Sequence, residues 1–459
     1  MGAPTKTCEK GVDPKTCSPE QIRECHGDGA GHSCATAAGR PASSSHAPLA
    51  AHSHDSGVQV EVAATEDRSR DVEPLRPSVP RVFWEFLRLG LTAFGGPAMV
   101  SYIGEMAITK KRWLTRPSFK EGVAVAQTIP GATAMQVAAY VGLRTRGVAG
   151  AAAAYIGFGL PAFVLMVVLS IVHTATNKSP INLAVFLGLQ VMVVAIVARA
   201  TVSFGRTTVK GWEDALVALA AAAYLACGGN PVVGIAAGAV AGIILYRRVQ
   251  SGGADGAQER PVLRSTTRPV LLIALVALVG LAALLLVNRQ LFDLSVVMLR
   301  VDALAFGGGF ASVPVMLHEV VGVNHWMSIR AFMDGIAMGQ VTPGPIVITA
   351  TFVGYQVAGL VGATLATVAV FLPSFLILAF VVPHFDQMKA NPHFRRAMRG
   401  ILASFVGLLL AVTIKFALAV PWSPLSAMLA GAAFIALMLK VEVPWVVVPG
   451  AIVSALVFR

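Results

Sequence analysis

Arg88 and Arg300 each stand six residues ahead of a Phe-Gly-Gly sequence, Phe94-Gly95-Gly96 and Phe306-Gly307-Gly308, inside otherwise apolar runs. A guanidinium in such a place either snorkels to a polar boundary or serves a ligand. Its planar donors make paired, charge-assisted hydrogen bonds to oxyanions. The glycines add a second anion-binding element. Where Gly or Pro interrupts a helix, backbone N–H groups lose their acceptors, and the dipole of the next half-helix favours negative charge. Pro130-Gly131 and Pro343-Gly344 supply two further breaks, preceded by Gln127 and Gln340, whose amides can bond a substrate or bridge helices. Glu121 and Asp334 lie six residues before those glutamines. They read either as surface carboxylates or as intramembrane groups whose proton exchange couples anion movement to a proton gradient. Asp302 is a ready partner for Arg300, and Trp113 and Trp326 fit interfacial anchors.

These residues come in pairs because the chain writes one segment twice. The offset is 212 at the first Gly pair (307 − 95), 213 from Trp to Pro-Gly (326 − 113), and 212 again at the last Pro (373 − 161). A period near half the chain marks two copies of a whole domain, not a solenoid of small units. With 55% hydrophobic and 13% charged residues, the composition is far from that of a soluble domain. Apolar stretches of about 20 residues recur from Val82 onward, long enough to cross a bilayer as helices. The expected fold is an all-α polytopic membrane protein made of two homologous halves.

The expected organisation is a cytoplasmic tail over 1–80, a first repeat over 81–246, a linker and unpaired helix over 247–290, and a second repeat over 291–459. The unpaired apolar stretch, 269–287, sets the topology. One extra crossing between two halves of even parity turns the second upside down and gives inverted-topology repeats. Loops with Arg144 and Arg146, Arg206 and Lys210, and Lys389 with Arg395, Arg396 and Arg399 then share one side. Excess Lys and Arg mark that side as cytoplasmic, with the N-terminus inside and the C-terminus periplasmic. Lys110, Lys111, Arg112 and Arg116 break the pattern if 82–104 and 119–142 both cross. They fit it if these segments are re-entrant hairpins broken at Gly-Gly-Pro and Pro-Gly, which is the reading preferred here. Full spans, with basic residues attracting an anion at the mouth, are the alternative.

The net charge of +12 follows from such loops and does not point to nucleic acid. The tail is polar and lacks a secretory signal. Its Cys8, Cys17, Cys25 and Cys34, with several histidines, have no Cys-x-x-Cys pair. They read as reduced thiols on a disordered tail or as a metal-binding or redox segment. Cys227 reads as a packing residue. No P-loop, His-Glu-x-x-His or Gly-x-Ser-x-Gly motif is present, which argues against a pump or an intramembrane enzyme, and no motif asks for a cofactor.

Phe94-Gly95-Gly96-Pro97 with Trp113-Leu114 and Gln127…Pro130-Gly131, and Phe306-Gly307-Gly308-Gly309 with Gln340…Pro343-Gly344-Pro345, resemble the chromate ion transporter family in its long, two-domain form. The resemblance covers about Arg81 to Val457. Ala132 departs from the family's Pro-Gly-Pro. The resemblance implies gradient-driven efflux of chromate across the bacterial inner membrane, chromate resistance, and competition by sulfate. Transport or import of sulfate or another oxyanion is the alternative. The partners implied are such an oxyanion, the lipid bilayer and, as an open option, a second copy of the chain.

Overall fold

The computed structural model describes residues 76–93, 96–176, 180–246 and 267–457, all within one compact unit, Val60–Arg459. The tail cysteines Cys8, Cys17, Cys25 and Cys34, and Gly95 of the first break, lie outside the described residues. The first half comprises α1 Val79–Thr92, α2 Gly96–Gly104, α3 Arg116–Thr128, α4 Thr133–Thr176, α5 Pro180–Thr208, α6 Trp212–Ala226 and α7 Pro231–Leu245. Then comes α8, Thr267–Val287. The second half repeats the order with α9 Arg289–Ala303, α10 Ser312–Leu317, α11 Ile329–Val341, α12 Thr349–Val381, the short α13 Phe385–Ala390, α14 Pro392–Ala419, α15 Pro424–Met438 and α16 Val443–Val457. π-helical turns extend α2 through Lys110 and α10 through Val323.

The broken segments are hairpins. α3 and the first arm of α4 fold back on each other about Pro130-Gly131, with Gly122 against the Tyr140 ring and Glu121 bonded to Arg144 at 2.9 Å. Gly335 meets Phe352 in the same way about Pro343-Gly344. Lys111 pairs with Glu85 across the α1–α2 hairpin, and Arg300 pairs with Glu319 across α9–α10 at 2.8 Å. An arm of 13 residues, as in α3 and α11, reaches about 20 Å against a hydrocarbon core of about 30 Å. These arms enter and return on one side.

Both long helices bend at one equivalent place. Arg146 and Gly147 interrupt α4, and Ala358 and Gly359 interrupt α12. Gly147 (φ +65°) and Gly359 (φ +58°) occupy the left-handed region that glycine alone enters without strain. Beyond each bend the chain reverses so tightly that Gly142 lies on Gly150, and Gly354 on Gly362. The parts of α4 and α12 after the bends, together with α5, α8 and α14, are long and apolar enough to cross a membrane.

Equivalent helices of the two halves pack antiparallel. Thr201 on α5 touches Thr413 on α14 at 3.0 Å between hydroxyl oxygens, and 413 − 201 is the repeat offset of 212. Four residues further along α5, a Cβ on Gly205 would lie 3.5 Å from Val406, seven residues back along α14. On α4, Tyr155 reaches Phe371 and Ser374 of α12, while Thr174 takes a hydrogen bond from Gln356 at 3.2 Å. Residues rising along one helix therefore meet residues falling along its twin. A two-fold axis relating such pairs is perpendicular to the helices and so lies in the membrane plane. The halves are inverted repeats.

Their packing is exchanged. α5 lies against α15 and α16 of the other half, and α14 against α6 and α7. Gly188 meets Ser454 and, at the equivalent position, Gly400 meets Gly242, small residues letting helix backbones approach. Two smaller expectations are corrected. Trp113 is buried under the first hairpins, so it is no interfacial anchor, and Cys227 is exposed at the end of α6, where the helix stops and no packing encloses it.

With every hairpin returning to its own side, the basic loops at Lys110–Arg116, Arg144–Arg146 and Lys389–Arg399 fall together. In a cysteine-free background, single cysteines replacing Arg146 and Gln356 are expected to react with an impermeant thiol reagent from opposite sides of sealed vesicles. Labelling of both from one side would be incompatible with the inversion.

Candidate functional site

The breaks of the two halves meet at the centre. The Gly131 N–H donates to the Ala305 carbonyl of the second half at 3.0 Å. A Cβ on Gly131 (φ +121°) would run into Ser374, the residue after Pro373, and would come within 2.8 Å of Gln136 Nε2. Reciprocally, a Cβ on Gly344 (φ +135°) would lie 2.7 Å from Ala162, the residue after Pro161. A Cβ on Gly308 would lie 3.5 Å from Thr133 of the first half. Each Pro-Gly tip thus touches the other half's long helix just past its proline.

One of these two junctions is polar. Ser374 donates its N–H to Asp302 Oδ2 at 2.7 Å, and its hydroxyl lies 2.8 Å from that of Tyr155. Tyr155 also bonds the Phe371 carbonyl at 3.0 Å, and Gln136 Nε2 donates to the Pro130 carbonyl. Asp302, Gln136 and Ser374 are fully buried. The twin junction has Gly90, Ala162 and Thr367 in place of Asp302, Ser374 and Tyr155.

Of the residues expected at the site, Pro130, Gly131 and Pro343 are buried at the tips, with Gly308 and Gly344 partly so. Gly307 is exposed at the start of the second break, with Phe204 and Leu402 beside it. Gly96 opens α2. Gln127 is exposed and Gln340 half-buried, one turn before their prolines.

Arg88 and Arg300 are not brought together. On α1 the buried positions are Val82, Phe86 and Gly90, and Arg88 projects from the opposite face beside Trp84 and Leu91. Arg300 lies on the open face of α9, its side chain 46% exposed. The expected Asp302–Arg300 pair does not form either. The helix turns Asp302 inward to Ser374 and Arg300 outward to Glu319.

The matched carboxylates hold the bases of the second hairpins. Glu121 accepts from Arg144 Nη2 on both carboxylate oxygens, at 2.9 and 3.1 Å, while Arg144 Nε donates to Tyr140. Asp334 accepts from Gln190 of the first half at 2.7 Å, with His173 Nε2 at 3.4 Å. His173, Gln190, Tyr155 and Ser374 did not emerge from sequence reasoning. A polar residue in an apolar helix was the available signal, but many such residues only bond their own backbone, as Ser170 does. Among the described residues no cluster suited to a metal ion occurs.

Two stretches, 80–243 and 292–455, match the family described as Chromate transporter. An uncharacterised transporter of Methanocaldococcus jannaschii is 43% identical over 78% of this chain and 89% of its own length. Chromate transport proteins of Pseudomonas aeruginosa and Cupriavidus metallidurans are 31% and 30% identical over 76% and 72% of this chain, and 84% and 81% of theirs. No solved structure matches.

Gly131 is the tip position least tolerant of a side chain. Gly131→Ala adds backbone strain and overpacking against Ser374, together roughly 2–6 kcal/mol. It is expected to lower the melting temperature of the detergent-purified protein markedly. Gly280→Ala on α8, whose added Cβ meets nothing within 4 Å, is expected to leave it unchanged, and equal melting of the two variants would refute the close contact.

Proposed function

The chain belongs to the chromate transporter family, and on that footing we propose that it is a secondary transporter that moves chromate out of the cytoplasm and so gives chromate resistance. The observation that carries this reading is the meeting of helix breaks from two inverted halves at two central junctions. Inverted-repeat transporters bind anions at such breaks and change access by moving one half against the other. Here the backbone donors at Gly95-Gly96, Gly131, Gly307-Gly308 and Gly344, with Gln127 and Gln340, would replace water around the oxyanion.

We assign the side bearing the basic loops to the cytoplasm, with the N-terminus inside and the C-terminus periplasmic, in the inner membrane. That orientation favours efflux. An interior-negative potential is worth about 2.3 kcal/mol per charge per 100 mV, so a departing dianion gains roughly twice that. Arg88 and Arg300, on open faces, would act before binding by concentrating the anion near the breaks. Glu121 and Asp334, the expected proton-coupling residues, are each engaged by partners, and we assign both to fixing the hairpin bases.

Two measurements follow. Purified protein in liposomes is expected to move radiolabelled chromate, with sulfate competing as a dianion of like shape. Sulfate carried at an equal rate with chromate excluded would replace the substrate. Arg88→Gln is expected to raise the chromate concentration for half-maximal transport, in a manner that vanishes at high salt, while leaving maximal rate near that of the parent. A fall in maximal rate with unchanged half-saturation would place Arg88 in the transport step instead.

A further inference from the structure

Asp302 is fully buried, and its partner is Ser374, which donates its N–H to Oδ2 at 2.7 Å. Oδ1 has no hydrogen-bond partner among the described residues. No cation faces it. α12, packed along α9, carries no charged residue from Thr349 to Val381 and only Tyr355 as a titratable group. α8 contributes only Arg268, at its far end. On α10 and its extension, Glu319 is held by Arg300 and His318 lines a separate surface hollow. On α9 itself, Arg289 is paired with Asp293. On α4, Arg144 is held by Glu121, Arg146 by the carbonyls of Arg76 and Pro77, and His173 by Asp334, while Tyr140 bonds Arg144. Only neutral Tyr155 reaches the junction.

An ionised carboxylate in this position would be a buried charge with nothing to balance it, whereas the neutral acid needs only a local acceptor. Gln136 Oε1, across the same Gly131–Ser374 contact, is a buried acceptor without a donor among the described residues. Nor does the architecture require the acid, because the equivalent position of the first half is Gly90. The structure thus keeps one costly carboxyl at the point where the halves touch.

We propose that Asp302 is the proton-binding group that couples transport to the proton gradient. This rests on reading the protein as a secondary transporter. In the closed junction Oδ1 carries the proton, and the Gly131 N–H is committed to Ala305, so that donor is withheld from an anion. Separation of the halves frees that N–H and wets Asp302. The O–H bond on Oδ1 then breaks, the proton passes to water, and the anion takes the released donor. When the anion leaves on the other side, water there returns a proton to Oδ1 and the junction closes. Proton and anion occupy the junction alternately, which is antiport.

The test uses the full chain in liposomes, as parent, Asp302→Asn and Asp302→Glu. Asp302→Asn is expected to carry net chromate flux that no longer responds to an imposed pH gradient, while chromate–chromate exchange without a gradient persists. Gradient-driven flux like the parent's, or loss of exchange together with net flux in a folded protein, would overturn the assignment. Infrared spectra supply a readout independent of the substrate, valid even if chromate is not carried. The parent is expected to show a protonated-carboxyl C=O band that shifts in position in Asp302→Glu. The same band unmoved in that variant, or no such band in the parent, would equally overturn it, including where Asp302→Asn fails to assemble.

Discussion

A peptide group broken out of a helix inside a bilayer finds no water, so its hydrogen bond must come from protein. The rest of this architecture follows from how that requirement is met. At Pro130-Gly131 the acceptor is the Ala305 carbonyl, at the end of the other half's first hairpin arm. At Pro343-Gly344 the tip packs on Ala162. Neither half completes its own breaks. The tips therefore lie at the boundary between the halves, so any movement of one half against the other would alter the bonding at these backbone groups.

Much of this was legible in the residues. The repeat at 212, the unpaired apolar segment and the Gly and Pro breaks led to two inverted halves, and the basic loop at Lys110–Arg116 favoured hairpins over spans. The direction in which side chains point was not legible. In a soluble helix an apolar stripe marks the inside, but lipid makes the outer stripe apolar as well, so hydrophobicity does not say which face is buried. Arg88 lies two residues from both Phe86 and Gly90, about 200° round the helix, on an outer face where Trp84 and Leu91 are as apolar as the buried positions. The same ambiguity put Asp302 beside Arg300 in sequence and on opposite faces in space.

The copies have diverged where symmetry would be a hindrance. Asp214 is buried and takes both bonds of the Arg399 fork at 2.9 Å, with Arg399 stacked 4.1 Å over Tyr246, so α6 and α7 are clamped to α14. The equivalent positions hold Ser426, Leu187 and Phe458, residue types that cannot form a carboxylate–guanidinium pair. Asp302 and Ser374 are likewise confined to one junction, their equivalents being Gly90 and Ala162. Substitution at few positions has made a two-fold fold asymmetric.

The exchange of helices between halves also has a consequence in time. On α5, Val191 through Val197 are buried on every side, and the covers include α15 and α16. A ribosome adding about 5–20 residues per second reaches those helices roughly 10–40 s after it finishes α5. Throughout that interval the central helix of the first half stands in lipid with its future partners unmade. Val191 through Val197 carry no polar side chain, which suits that segment to wait there without drawing in the wrong neighbour.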